Sequence, residues 1–198
     1  RIEHFAARRM MDIDGIGAET VTLLYDAGLV RLPYQLYSLT YDQLLSLDRT
    51  ADKGAQRLLD GIQASKQVPF ERVLYALSIP YVGETVAKRL ARSVGDINTL
   101  MAMTASELEA IDDVGPRIAA SIVDYFSQPQ NIENIRGLIA AGVQMASQRS
   151  ENAVTGTQLE GKNIVISGTF NHHSPDEYKE LIESHGGKNV SGVSSRTS

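Results

Sequence analysis

Apolar positions in this chain recur in a fixed frame. Four segments share one short pattern: Ile13-Asp14-Gly15-Ile16-Gly17, Leu47-Asp48-Arg49-Thr50-Ala51, Ile79-Pro80-Tyr81-Val82-Gly83 and Ile111-Asp112-Asp113-Val114-Gly115. Their last residues, 17, 51, 83 and 115, are separated by 34, 32 and 32 positions. A small apolar residue follows each by four positions (Val21, Ala55, Ala87, Ala119), and a large one by seven (Leu24, Leu58, Leu90, Ile122). Spacings of four and seven fall on one helical face, so each copy predicts a tight turn that opens a helix. These helices are expected to end near Gly28, Lys66, Gly95 and Ser127. A period of this size marks a repeat architecture.

The copies are paired. Leu39–Leu47 and Met103–Ile111 align at an offset of 64, and each opens with a capping box, Thr40…Gln43 and Thr104…Glu107. Copies one and two therefore form a unit that copies three and four repeat. A lead-in helix is expected over 1–11, a helix over Pro69–Leu77 with proline at its first position, and a last one over Asn131–Ala141 stopped by Gly142. Residues 144–158 hold few large apolar groups and read as a flexible linker. Beyond it the pattern changes. Asn163–Ser167 is β-branched and apolar, as in a buried strand. Ser174-Pro175-Asp176-Glu177 is a capping box with an N1 proline, predicting a helix from Pro175 to His185. Gly186-Gly187 stops it, and Lys188–Ser191 begins a second strand. A strand, a crossover helix and a strand make a parallel pair.

A glycine turn ahead of a helix presents amide N–H groups at the positive end of the helix dipole, which suits an anion such as a nucleic-acid phosphate. Amides carry no base-reading chemistry, so such binding is sequence-blind. The copies are unequal: the first has both glycines, the third and fourth replace the first glycine by Tyr81 and Asp113, and the second has Arg49 and Ala51 instead. Copies one, three and four are the phosphate candidates, with copy two structural.

At this point the pattern resembles the helix-hairpin-helix motif. Four in tandem, with Met11–Gly17 near the start and Leu108–Pro116 near the end, resemble the hairpin domain of bacterial NAD-dependent DNA ligases. Leu159–Phe170 and Ile182–Lys188 resemble the N-terminal half of a BRCT domain, without that domain's tryptophan helix. The expected fold is mainly α: four tandem hairpins over 1–143, a linker over 144–158, and a truncated small α/β portion over 159–198. The resemblance implies that the hairpins hold nicked duplex DNA by its backbone across the minor groove. Gly15, Ile16, Gly17, Val82, Gly83, Val114 and Gly115 would supply amides, and Lys53, Lys88, Arg89, Arg92 and Arg117 the supporting cations. It also implies that NAD, Mg and Zn belong to the parent enzyme's other modules. The family's Lys-x-Asp-Gly adenylation motif has no match, Asp52-Lys53-Gly54-Ala55 being unlike it, and the zinc module's four cysteines are absent. No catalytic residue and no metal site is therefore expected within this chain. The partners expected are nicked duplex DNA and the ligase's remaining domains, with a monomeric chain and no membrane.

Charge opposes this reading in part. The net charge is −5, and residues 1–145 carry 14 Lys and Arg against 18 Asp and Glu. Amide donors do not register in that count, and Arg8 and Arg9, then Lys88, Arg89 and Arg92, cluster near the first and third turns. The acidic balance keeps open a protein-interaction or architectural module. A repair enzyme of another family would need a carboxylate triad, and none is evident. With no cysteine, disulfides are excluded and a reducing cytoplasm is expected. No run of 18 apolar residues and no signal peptide is visible, and an initial arginine suggests a piece of a longer chain. Four further features have ordinary structural explanations. Asp112-Asp113 is a turn or cap rather than a metal pair, His172-His173 a solvated loop, and Ser167-Gly168 a turn rather than a phosphate seat. Tyr34, Tyr37 and Tyr41 are packing residues rather than base-stacking ones.

Overall fold

The computed structural model describes residues 1–47, 52–147, 157–167, 175–190 and 192–193. The chain divides into two compact units, Arg1–Gln148 and Arg149–Ser198.

The first unit is helical. Its elements are α1 (Ile2–Ala6), α2 (Ala18–Asp26), a 3-10 helix (Pro33–Ser38), α3 (Tyr41–Leu45), α4 (Asp52–Ser65), α5 (Phe70–Ala76), α6 (Glu84–Val94), α7 (Ile97–Ala102), α8 (Ala105–Glu109), α9 (Pro116–Ser127) and α10 (Pro129–Ala140). The repeat frame sets the core. Ala55, Ala87 and Ala119, four positions after their copies of the pattern, are buried, as are Leu24, Leu58, Leu90 and Ile122 three positions further on, while Val21 of the first copy is half-buried. The alanines let neighbouring helices approach, and each large side chain contributes roughly 1.5–3 kcal/mol by leaving water. Both hairpin pairs share one contiguous core, from Phe5 and Leu24 through Phe70 and Leu90 to Ile122 and Leu138. Both capping boxes form: Thr40 and Thr104 accept from the amides of Gln43 and Glu107, whose side chains accept in return. Gly142, at φ +85, ends α10, with its own amide bonded to the Ile139 carbonyl and that of Val143 to Leu138. This is the left-handed stop that glycine adopts without strain.

Four boundaries differ from the sequence reading. The lead-in helix stops at Ala6, because Ala7 is extended and the carbonyls of Phe5 and Ala6 turn to the amides of Met11 and Ile13. Phe5, Ala6, Met10, Met11 and Ile13 are all buried, a set too dense for one helical face. Pro69 stands one place before α5 as its cap rather than inside it. The last helix begins earlier, at Pro129, with Gln128 closing α9 and opening α10. Residues 144–147, expected as the start of a linker, pack on the first unit. The Gln144 amide donates to Lys66, Ile97 to Met145 and Ser147 to Gly95, while Val143 and Met145 are buried. Residues 148–156 lie outside the described ones, as do 48–51 of the second turn and His172-His173.

The second unit contains β1 (Asn163–Ile164), α11 (Pro175–Ser184) and β2 (Lys188–Asn189). The strands are parallel, with Asn163 opposite Lys188 and Ile164 opposite Asn189. Parallel pairing is what the strand–helix–strand order requires. The ladder is shorter than Asn163–Ser167 and Lys188–Ser191: Val165–Ser167 and Val190 continue outside it. Ile182 of α11 is buried, and a side chain at Gly187 would meet its Cγ2 at 2.8 Å. Among the described residues, no helix is long and apolar enough to cross a membrane.

Candidate nucleic-acid interface

The three described turns are built alike. In each, the third residue has left-handed backbone: Gly15 at φ +89, Tyr81 at +64 and Asp113 at +66. The fourth, Ile16, Val82 or Val114, points into the core. The last, Gly17, Gly83 or Gly115, is exposed and caps the next helix. The common geometry follows from the frame, since a buried residue between two exposed ones pins the turn to the core while its rim faces out. Glycine is the unstrained choice for the left-handed position; tyrosine there costs on the order of 1–2 kcal/mol, whereas aspartate tolerates it better.

The capping glycines are not demanded by the fold. Their φ values, −102, −84 and −83, suit any residue, and a Cβ at each would meet nothing within 4 Å. No side chain caps α2, α6 or α9. Asp, Asn or Ser would hold these ends better. Glycine leaves the first-turn amides open to an outside acceptor, and the Gly17, Gly83 and Gly115 amides have no acceptor among the described residues. Two expected donors are corrected. The Val82 amide donates to the Ile79 carbonyl and that of Val114 to Ile111, both at 3.1 Å, so these N–H groups close the turns instead of facing out.

A family profile described as "SAM-like Helix-hairpin-helix tandem" matches residues 7–64, one described as "Helix-hairpin-helix motif" matches 72–135, and one described as "BRCA1 C Terminus (BRCT) domain" matches 154–198. The chain is 48% identical over 198 residues to a protein named DNA ligase from Phocaeicola vulgatus, and equally so to one from Bacteroides fragilis. It is 49% identical over 197 residues to another of that name from Parabacteroides distasonis. All of this chain and 30% of each relative are covered. The chain matches a segment of bacterial proteins named DNA ligase along its whole length. It spans about 30% of the length of these relatives.

Within this ligase segment the hairpins of a pair brace one another. Arg57 on α4 pairs with Asp14 of the first turn, and Ser121 on α9 donates to the Pro80 carbonyl of the third at 2.7 Å. Both stand six positions after the last residue of their own copy, and both reach the second residue of the preceding one. The sequence reading missed these braces, although their shared frame position was visible. Two more run across the second pair. Arg89 on α6 reaches Asp113 at 3.1 Å. Arg117 on α9 donates to the Tyr81 hydroxyl at 2.6 Å, and its guanidinium sits 4.0 Å from that ring's centroid.

The expected cations therefore differ in availability. Lys88 pairs with Glu84 at 3.3 Å, and the same carboxylate lies 3.8 Å from Arg9 across a groove also lined by Arg8, Asp12, Glu71 and Arg72. Arg89 is held by Asp113, which answers for the fourth turn's acid: it is an ion-pair partner. Arg117 has no carboxylate partner among the described residues. Lys53 is exposed at the start of α4, and Arg92 is exposed on α6.

The tyrosines pack. The Tyr34 amide donates to Asn134 and its hydroxyl to Glu133, while its ring lies where a side chain at Gly137 would stand. Tyr37 shares a hydrogen bond with Ser65, and burial pushes its phenol up to about 12. Asp96 caps α7; the amide and hydroxyl of Thr99 donate to its carboxylate and hold its pKa below the ordinary value. Among the described residues, no three His, Asp or Glu side chains gather as a metal site. The chain has no cysteine to serve as a thiolate zinc ligand.

Proposed function

We propose that the first unit grips duplex DNA by its phosphates, without reading sequence, as part of an NAD-dependent DNA ligase acting on nicks in replication and repair. The observation that carries this is the set of three exposed capping glycines, each leaving a helix end uncapped where the fold itself would accept a side chain. Amides at such ends suit phosphate oxygens. In this reading adenylation and sealing, with NAD, Mg and Zn, belong to segments of the ligase other than this one, and this chain contributes no catalytic group. It works as a cytoplasmic monomer.

Fluorescence anisotropy with nicked and intact duplexes at two salt concentrations tests the reading. Expected is binding that ignores sequence and weakens with salt. The log–log slope should be shallow, about −1 to −3, because neutral amides displace few counterions. A preference for one sequence, or no binding at low salt, would overturn it.

A second reading, an interaction or architectural module, is favoured by the pairing of Arg57, Lys88 and Arg89 with acids of the same unit. It predicts no duplex binding but measurable affinity for the ligase's other modules.

A further inference from the structure

Tyr81 is a residue that core packing does not explain. It is 56% exposed, so burial does not hold it, and its backbone is left-handed where glycine stands in the first turn. The third turn is already anchored by Val82 in the core and by Ser121 on the Pro80 carbonyl. Strain retained in an exposed turn points to use.

We infer that Tyr81 and Arg117 together form a seat for a backbone phosphate, next to the one that the Gly83 amide would take. Arg117 donates to the phenol oxygen, so the phenol hydrogen is left to donate outward. Stacking on the ring fixes the guanidinium plane, and its remaining N–H groups face no carboxylate of the described residues. Arg117 is also the second residue of α9, where the helix dipole adds positive potential. Lys88 and Arg89, by contrast, are neutralised by Glu84 and Asp113. Tyr81 and Gly83 lie within about 7 Å along the chain, so both donor sets fit a single strand. The ligand class is the phosphodiester of duplex DNA, and the inference rests on the DNA-binding reading above.

The test uses the full 198-residue chain and a nicked duplex, with Tyr81→Phe, Arg117→Met and the double variant. Tyr81→Phe keeps the ring, the stacking and the left-handed backbone, so its melting temperature should stay within about 3 °C of the parent. Its affinity should fall about tenfold with the salt slope unchanged, as for loss of one hydrogen bond to a charged group. Arg117→Met should fall comparably and reduce the slope magnitude by about 0.9. The double variant should bind no more than about threefold worse than the weaker single, because both groups serve one phosphate. If the parent binds and Tyr81→Phe stays within twofold of it, the seat is refuted while the broader reading stands. Fully additive losses would also refute a shared seat. A parent that does not bind at all removes the broader reading and this one with it.

Discussion

Gly115 offers a separation of stability from binding, because the two should move in opposite directions. It caps α9 at φ −83 and ψ 175, with no side-chain cap, no acidic residue in the first turn, and nothing within 4 Å of where a Cβ would stand. Gly115→Asp places a carboxylate on the open first-turn amides. Relative to glycine the cap is worth a few tenths of a kcal/mol, and a charge at the dipole's positive end roughly 0.3–1 kcal/mol more. Together they predict a gain of about 0.5–1 kcal/mol, a rise in melting temperature of about 1–4 °C for a domain this size. A phosphate brought to the same amides would then stand roughly 5 Å from a like charge. The repulsion is about 1–3 kcal/mol at effective dielectric constants between 80 and 20, a loss of about five- to hundredfold in affinity. Gly115→Ser gives the cap without the charge, and should be as stable with a loss of only a few-fold. Differential scanning calorimetry and anisotropy on the same samples read both numbers. An Asp variant that melts lower than the parent, or that binds nicked duplex equally well, would refute the reasoning.

Three other outcomes follow from the braces and caps. Glu84→Gln frees Lys88 and Arg9 from one carboxylate and should raise duplex affinity about threefold at low salt, the gain vanishing at high salt in a titration series. Asp96→Ala removes the α7 cap and should cost about 1 kcal/mol at neutral pH by thermal melt. The Asp96 pKa is lowered in the folded state from an ordinary 3.8, so its contribution is full above that value and is lost as pH falls through the folded value; the gap between parent and variant should close below about pH 4. Gly137→Ala sets a Cβ against the Tyr34 ring, at Cγ and Cδ2 rather than at a yielding tip, and should destabilise by roughly 1–3 kcal/mol in a urea titration despite alanine's better helix propensity.

The repeat frame was legible because burial imposes it. A turn whose middle residue enters the core and whose helix buries positions four and seven has few sequence solutions, and the capping boxes at Thr40 and Thr104 are local hydrogen bonds with local signatures. The left-handed backbone of Tyr81 and Asp113 was not read from the sequence, although both align with Gly15. Less legible was what depends on distant partners. Residues 1–11 read as one helix because local propensity is silent about Met10 and Met11 both being needed inside. Residues 144–147 look like linker by composition, yet their amides and carbonyls find Lys66, Gly95 and Ile97 far back in the chain. The candidate site divided in the same way. Its glycines were visible, whereas the closing of the Val82 and Val114 amides and the pairing of Lys88 and Arg89 with acids are facts of geometry.

The docking of the 3-10 helix on α10 has a consequence for how this unit assembles. The Tyr34 amide bonds to Asn134 and the Tyr34 hydroxyl to Glu133, and Arg1 reaches Tyr125 and Asn131, contacts separated by about a hundred residues or more. Each hairpin pair can form early from neighbours in sequence, but these closing contacts must wait for both. The two pairs should therefore exchange amide hydrogens as a single cooperative unit, with protection in the first pair lost together with that in the second, rather than melting as two modules in series.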